Sequence, residues 1–271
     1  MYYVKTLTVA GSDSCGGAGI QADIKTMSAL GCYAASVVTA VTAQNTTGVT
    51  AIQQMTPEMV RAQLRAVLDD LRPQAVKVGM LGDRATVQAV ATELAGYSAV
   101  PLIADPVMVS TSGSRLMEPD AVEEFCKRLL PMATLLTPNI PEAEVLSGMS
   151  IQSEGDMDRA ARRIMDRGCK ALLIKGGHTD GAEKADRLYF ADGRHKAFRG
   201  KTIETRNTHG TGCTLSSAIA AYMARGEKLP EAVRRAKEYV SNALAAGAGV
   251  ETGGGHGPVN HFFLPEKLII Q

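Results

Sequence analysis

The chain has 271 residues, and its 29 Lys and Arg against 28 Asp and Glu give a formal net charge of +1. This balance, without a basic run interleaved with aromatic residues, argues against nucleic acid as a partner. No run approaches the roughly 18 apolar residues of a membrane span and no signal-peptide pattern opens the chain, so we expect no membrane partner and a cytoplasmic location.

Strand-like apolar runs alternate with segments of helical spacing along the first two thirds of the chain. The predicted strands lie at 6–11, 34–41, 75–81, 101–109, 134–139 and 171–177. The predicted helices lie at 18–30, 57–71, 83–95, 119–130 and 153–167. Because most of the strand runs are continuously apolar, they are typical of strands covered on both faces. The alternation predicts a three-layer α/β/α fold with a mostly parallel central sheet.

The pattern changes after the last of these strands. Two alternating segments around Asp192 and Gly193 predict an antiparallel hairpin at a sheet edge. Two further helices are predicted at 210–225 and 230–246, followed by a glycine-rich tail.

The domain organisation is predicted to be simple. No linker-like stretch or internal repeat divides the chain, so we expect one domain over residues 1–271. Residues 44–55, QNTTGVTAIQQM, predict a turn and a short strand that form either a small flap over the sheet edge or a contact in a homo-oligomer. We expect a homo-oligomer, in the form of a dimer.

The cysteines and histidines give no sign of a disulfide framework or of a transition-metal site. The five cysteines are odd in number and never spaced as CxxC, and the five histidines form no HExxH pattern. Most cysteines are expected to be small buried side chains.

Two nucleotide-binding motifs are matched only in part. Gly17, Gly19 and Ala22 satisfy G-x-G-x-x-A between a strand and a helix, but the second strand ends in VTAVTAQNT, without the acidic residue that would hold a ribose. GKT occurs at 200–202, but His195 stands where a phosphate loop of the Walker type requires glycine. Neither motif is retained.

Polar residues lie where the predicted parallel strands end, which is where open α/β sheets bind ligands. These residues are Asp13, Gln44, Asp105, Asn139 with Glu142, and Lys175. Oxygen ligands suit magnesium, so Asp105, Asn139 and Glu142 are candidates to position a magnesium nucleotide directly or through water.

Three of these candidates have a purely structural alternative. Asn139 and Glu142 have the spacing of a helix capping box. Lys175, followed by Gly176 and Gly177, either reaches a phosphate or is an exposed lysine at a strand end.

The stretch HGTGCTLSSAIAAYM places glycines in the first turn of a predicted helix, where free N–H groups and the helix dipole bind anions. Gly210, Thr211 and Gly212 are therefore candidates to hold a transferring phosphoryl group. Cys213 in the same turn is expected to have a lowered thiol pKa and to accept a proton. The alternative is a small buried cysteine under the loop.

Eight blocks in order resemble the hydroxymethylpyrimidine and phosphomethylpyrimidine kinases of thiamine biosynthesis, which belong to the ribokinase-like superfamily. The blocks are AGSDSCGGAGIQADIKT, VTAVTAQNT, VKVGML, DPVMVSTSG, LLTPNIPEAEVLSG, IKGGH, NTHGTGCTLSSAIA and GGGHGPVNHF. The resemblance covers nearly the whole chain. It implies ATP and Mg²⁺ as co-substrates, and two successive phosphorylations that convert 4-amino-5-hydroxymethyl-2-methylpyrimidine into its diphosphate.

The resemblance also implies roles for particular residues. The turn of Gly210, Thr211 and Gly212 would form an anion hole for the γ-phosphate, with Cys213 in place of the aspartate base usual in the superfamily. Gln44 would pair with a ring nitrogen and the adjacent amine, since its amide offers a donor and an acceptor. The remaining assignments are Asp23, Met80 and Val107 for substrate, Asn139, Lys175 and Gly212 for nucleotide, and Asp105 and Glu142 for metal.

Two other functions stay open. A pyridoxal or pyridoxine kinase is the nearest rival, because the branch with this cysteine includes vitamin B6 kinases. A catalytically silent pyrimidine sensor is an answer of a different class. One residue departs from the resemblance, because Cys15 stands where family members commonly have glycine, and its side chain would narrow the loop nearest the substrate.

Overall fold

The computed structural model describes residues 1–110, 113–176 and 183–271. In these ranges nine strands form one sheet in the order β3-β2-β1-β4-β5-β6-β7-β8-β9. The strands are β1 (Lys5–Asp13), β2 (Tyr33–Asn45), β3 (Gly48–Gln54), β4 (Ala75–Val78), β5 (Leu102–Ala104), β6 (Leu135–Leu136), β7 (Ala171–Ile174), β8 (Glu183–Phe190) and β9 (His195–Lys201). The six central strands are parallel and follow the order β2, β1, β4, β5, β6 and β7. At the two edges, β3 pairs antiparallel with β2, β8 with β7, and β9 with β8.

Helices cover both faces of the sheet. They are α1 (Gly19–Ala29), α2 (Pro57–Asp70), α3 (Arg84–Leu94), α4 (Pro119–Arg128), α5 (Ile140–Ser147), α6 (Glu154–Met165), α7 (Thr211–Ala224) and α8 (Leu229–Gly247). One apolar core lies between the sheet and α2 to α6, and includes Leu64 and Phe125. A second core lies under α1, α7 and α8, and includes Met27 and Ile219. The predicted three-layer α/β/α fold with a mostly parallel sheet is confirmed.

Several elements differ in extent from their predictions. The strands predicted at 101–109 and 134–139 shorten to β5 and β6. The residues that follow them, Asp105 and Thr137, still donate N–H groups to the neighbouring strand, at 2.8 and 2.9 Å. The next residues are Pro106 and Pro138, which have no N–H to continue the ladder.

The edges of the sheet agree with the sequence patterns. The hairpin predicted around Asp192 and Gly193 is present as β8 and β9, and Gly193 has the left-handed φ of +82° that its turn requires. Residues 44–55 form the end of β2, a tight turn and β3. Among the described helices, none has the length and apolar character needed to cross a membrane.

Candidate active site

A cavity of about 760 Å³ opens beyond the carboxyl ends of β1, β4, β5 and β7, against the beginning of α7. The parallel strands explain its place, because their carboxyl ends meet at one edge of the sheet. The cavity brings together most of the residues proposed from the sequence. Its lining includes Gln44, Met80, Asp105, Val107, Asn139, Glu142, Lys175, Gly210, Thr211, Gly212 and Cys213.

The turn at the start of α7 is shaped by its glycines. Gly210 caps the helix with a φ of +78°, and a Cβ placed there would lie 1.8 Å from the carbonyl oxygen of Gly17. Only glycine combines this backbone conformation with so close a neighbour. A Cβ on Gly212 would lie 3.5 Å from Lys175 Nζ, so the turn faces that ammonium. The first turn of α7 therefore borders a positively charged part of the cavity.

Lys175, Asp105 and Glu142 form a charged cluster beside this turn. The ammonium of Lys175 donates to Asp105 Oδ1 at 2.9 Å and lies 4.0 Å from Glu142 Oε2. Asp105 also accepts from Thr137 Oγ1 at 3.0 Å and from Ser216 Oγ at 3.1 Å. Lys175 is therefore paired and largely buried, which excludes the exposed strand-end lysine as an alternative.

The cluster shifts the pKa of each member. Burial alone would raise the pKa of Asp105, but Lys175 and Lys77 outweigh burial and hold this pKa below its usual value. Burial raises the pKa of Glu142, and Lys175 opposes this only in part. Burial would lower the pKa of Lys175, yet its two acidic neighbours raise it. The site therefore holds an ammonium and at least one carboxylate at neutral pH.

Asn139 and Glu142 form the capping box that the sequence offered as an alternative. Asn139 Oδ1 accepts from the Glu142 N–H, and Glu142 Oε2 accepts from the Asn139 N–H, each at 2.8 Å. The box caps the start of α5, a helix that was not among those predicted from the sequence. Because both side chains also line the cavity, the capping role and a role toward nucleotide or metal are compatible.

Burial changes the electrostatics expected for Cys213. It raises the pKa of this thiol to about 11, although the nearby Lys77 ammonium acts in the opposite direction. The lowered pKa inferred from the helix terminus is therefore wrong. The side chain is half-buried at the cavity wall, so it is neutral at pH 7 and still accessible from the cavity.

A buried ion pair beneath the turn was not recognised in the sequence. Lys77 on β4 donates to the Asp23 carboxylate on α1 at 2.8 and 3.0 Å, and neither side chain is exposed. Thr8 and Ser217 also donate to Asp23. The structure thus places Asp23 beneath the cavity, where it holds Lys77, while Lys77 itself lines the cavity. The signal available in the sequence was a lone charge in the apolar run AVKVGML.

Asp13 organises the loop that follows β1. Its carboxylate accepts the backbone N–H groups of Cys15, Gly17 and Ala18 at 2.8 to 3.1 Å. Burial would raise the pKa of Asp13, but His209 and the N–H groups of Ala18 and Cys15 together lower it. Cys15, the residue that departs from the resemblance, is half-buried in this loop.

His209 is a second site residue missed in the sequence. Its Nε2 lies 2.8 Å from Asp13 Oδ2 and 3.4 Å from the amide of Gln44, and all three side chains line the cavity. A Cβ on Gly17 would lie 2.4 Å from His209 Cδ2, so glycine is required for the ring to pack against the loop.

The glycine-rich tail joins the hairpin that carries Gln44 to the turn before α7. The N–H of His256 donates to Thr46 O at 2.9 Å, and the N–H of His209 donates to Gly257 O at 3.0 Å. A Cβ on Gly255 would lie 2.1 Å from Thr46 O, so the tail approaches the hairpin at backbone distance. The tail thereby fixes the position of the hairpin relative to the turn before α7.

Comparison with known proteins identifies the family. The family model described as phosphomethylpyrimidine kinase matches residues 13–260. The chain belongs to this family. A hydroxymethylpyrimidine/phosphomethylpyrimidine kinase of Rhizobium meliloti is 51% identical over 257 residues, covering 94% of this chain and 96% of the relative. The enzyme of the same description from Escherichia coli is 44% identical, covering 97% and 98%.

Solved structures agree with this membership of the phosphomethylpyrimidine kinase family. A phosphomethylpyrimidine kinase from Clostridium difficile is similar with a TM-score of 0.79 and 44% identity, covering 89% of this chain and 99% of that one. A Staphylococcus aureus pyridoxal kinase in complex with AMP-PCP and pyridoxal is similar with a TM-score of 0.86 and 33% identity, covering 97% and 94%. The chain is therefore a phosphotransferase of this kinase family, and ATP is the co-substrate that such membership implies.

Proposed function

We propose that the chain uses ATP to phosphorylate the hydroxyl of 4-amino-5-hydroxymethyl-2-methylpyrimidine and then phosphorylates the monophosphate to the diphosphate, within thiamine diphosphate biosynthesis. The observation that carries the proposal is one cavity lined both by an amide, Gln44, and by a glycine turn that faces Lys175. The amide matches the polar edge of an aminopyrimidine, and the turn matches a phosphoryl group.

The phosphate end supports transfer mainly by position and charge, which is what phosphoryl transfer requires. We propose that the N–H groups of Gly212 and Cys213 in the first turn of α7 donate to the γ-phosphate oxygens. Lys175 supplies a positive charge that the Asp105 carboxylate holds in place at 2.9 Å. Asn139, at the other side of Lys175, is proposed to contact the nucleotide.

The acidic residues suit a magnesium ion that they contact through bridging water molecules. Asp105 and Glu142 offer hard oxygen ligands beside the phosphate end, but their oxygens already accept hydrogen bonds from Lys175, Thr137, Ser216 and the Asn139 N–H. Magnesium in nucleotide sites keeps several waters, so such occupied carboxylates fit an outer-sphere role. A bound Mg²⁺ would neutralise phosphate charge at this place.

The substrate end is built from fewer polar groups. Met80 and Val107 line the same cavity as Gln44 and provide apolar walls that suit the faces of a pyrimidine ring. A Cβ on Gly11 would lie 2.9 Å from Met80 Sδ, so glycine is needed for the methionine to occupy this wall. Asp23 contributes from below, through its ion pair with Lys77.

A second copy of the chain is proposed to pack against the edge formed by β2 and β3. Val41 on β2 and Ile52 on β3 are 45% and 38% exposed on opposite faces of this pair of strands, and Tyr33 at the start of β2 is 43% exposed, so apolar side chains are available for a contact. The edge also carries the unpaired backbone groups of β3. We propose a single domain that forms a homodimer through this surface.

A substrate panel tests the proposed function against its rivals. We expect ADP release with the aminopyrimidine alcohol, and products that carry first one and then a second phosphate by mass spectrometry. Gln44→Leu should lower kcat/KM for the aminopyrimidine about 5- to 150-fold, because an unpaired polar edge costs about 1–3 kcal/mol, and should affect pyridoxal far less. A preference for pyridoxal would establish the rival kinase, and the absence of turnover with every alcohol would support the silent sensor.

Cys213 is proposed to accept the proton of the substrate hydroxyl. We expect Cys213→Ala to slow the first phosphorylation more than the second, because a phosphate monoester is already largely ionised near neutral pH. A thiol pKa of about 11 also predicts that the wild-type first step accelerates between pH 7 and pH 9, as the thiolate fraction rises, and that the variant loses this rise. Single-turnover rates on both substrates measure the effect, and unchanged rates would exclude Cys213 as the base.

A further inference from the structure

The hydrogen bonds around Gln44 determine which way its amide points, and this orientation decides how a ring can bind. The structure places Gln44 Nε2 3.4 Å from His209 Nε2 and Gln44 Oε1 3.1 Å from Thr42 Oγ1. The oxygen and nitrogen of a side-chain amide have nearly the same shape, so their partners decide between the two orientations.

His209 must donate through Nε2. The Asp13 carboxylate lies 2.8 Å from this nitrogen and accepts three backbone N–H groups, as an ionised acid does. An ionised carboxylate only accepts, so the hydrogen between the two groups belongs to His209. If the amide nitrogen of Gln44 faced this atom, two donors would lie against each other. An amide oxygen in the same place would be attracted to the His209 N–H.

Thr42 leads to the same orientation from the other end of the amide. Its hydroxyl lies 3.0 Å from the carbonyl oxygen of Ser12, which can only accept. A hydroxyl has a single hydrogen, so after donating to Ser12 it has only lone pairs to offer Gln44. The group that faces Thr42 is therefore the amide nitrogen.

We propose that His209, held by Asp13, is a positioning residue that fixes the Gln44 amide with its oxygen toward His209 and its nitrogen toward Thr42, and that this polarity orients the substrate ring. The inference rests on the proposed function. In the aminopyrimidine the ring nitrogen, the amine and the hydroxymethyl group follow one another along one edge. Pairing the amine with the oxygen on the His209 side leaves the hydroxymethyl group on the same side of the ring as His209, which lines the cavity together with Gly210.

The opposite amide orientation would place the same ring the other way round, with its hydroxymethyl group away from the turn. Asp13, His209 and Gln44 would thus connect recognition of the amine to delivery of the hydroxyl. In the chain, His209 directly precedes the turn at Gly210–Cys213.

An analogue with reversed polarity tests the proposal. In the 4-oxo analogue, oxygen replaces the amine and the ring nitrogen carries a hydrogen, so donor and acceptor exchange places. We expect the wild type to prefer the amino compound by at least about 100-fold in kcat/KM, because a fixed amide leaves reversed partners unpaired. His209→Phe keeps a ring of similar size without the N–H donor, and the preference should fall to within about tenfold because Thr42 alone then orients the amide.

The controls separate positioning from structural support. His195→Phe alters an exposed histidine on β9 and should retain the wild-type preference. If His209→Phe lowers both rates equally and keeps the preference, His209 only supports the loop and the proposal is overturned. Thr42→Val removes the partner at the other end of the amide and should also reduce the preference, so it provides the test if His209→Phe does not fold.

Nuclear magnetic resonance tests the orientation without turnover. The Gln44 side-chain NH₂ protons should show nuclear Overhauser contacts to the Thr42 methyl group, while contacts to the His209 ring protons instead would overturn the proposal. A wild type that phosphorylates neither compound would refute the proposed function, and the amide orientation would then still be decided by these contacts.

Discussion

Gly210→Ala is expected to lower kcat at least about 100-fold, the size of effect seen when a donor to a developing negative charge is displaced. An added Cβ would lie 1.8 Å from the Gly17 carbonyl oxygen, and the φ of +78° is unfavourable for any L side chain. The turn must therefore move away from the loop after β1. That movement shifts the N–H groups of Gly212 and Cys213 relative to Lys175. These N–H groups and the Lys175 ammonium then no longer contact the same phosphoryl group together.

Gly226 provides a matched control at the other end of α7. It also has a positive φ, of +91°, but an added Cβ would meet nothing within 4 Å. Gly226→Ala should strain the backbone in a similar way and so reduce thermal stability, while kcat stays close to the wild-type value. Steady-state rates and melting temperatures of the two variants make the comparison. Equal losses of activity in both would show that the contact between Gly210 and Gly17 has no special role in catalysis.

The parts of the site that could be predicted were those encoded locally. The continuous apolar runs gave the parallel sheet, and the polar residues after those runs, such as Asp105 and Lys175, lie in the cavity because strand ends share an edge. The glycine turn before α7 was equally local, since a helix terminus and its dipole belong to one segment. The capping box at Asn139 was also visible in the spacing, although its helix was not predicted.

The parts that could not be predicted depend on contacts distant in sequence. Lys77 and Asp23 are 54 residues apart and meet only because α1 packs against β1, the strand that pairs with β4. Gln44 and His209 are 165 residues apart and meet through the hairpin and the glycine-rich tail. The pKa of Cys213 was predicted in the wrong direction for the same reason, because the helix terminus is local while the burial that dominates comes from the whole fold.

The ion pair of Lys77 and Asp23 is expected to be the most sensitive point for stability. Both side chains are fully buried, so Lys77→Met leaves the Asp23 carboxylate without its charge partner and should reduce the free energy of unfolding by about 3–5 kcal/mol. Lys77→Met combined with Asp23→Asn removes both charges, while the amide oxygen still accepts from Thr8. We expect the double variant to be more stable than Lys77→Met alone, which urea titration at pH 7 would measure.

A surface pair provides the contrast for this buried one. Arg234 and Glu231 lie one turn apart on α8 and are each half exposed, so Arg234→Met should change the unfolding midpoint far less than Lys77→Met. Loss of Lys77 also removes the positive charge that favours the Cys213 thiolate, so the folded fraction of Lys77→Met should show a slower first phosphorylation. If Lys77→Met is as stable as Arg234→Met, the buried pair is not a determinant of stability. If the double variant loses as much free energy of unfolding as the single variants Lys77→Met and Asp23→Asn lose in sum, the two charges do not act as a pair.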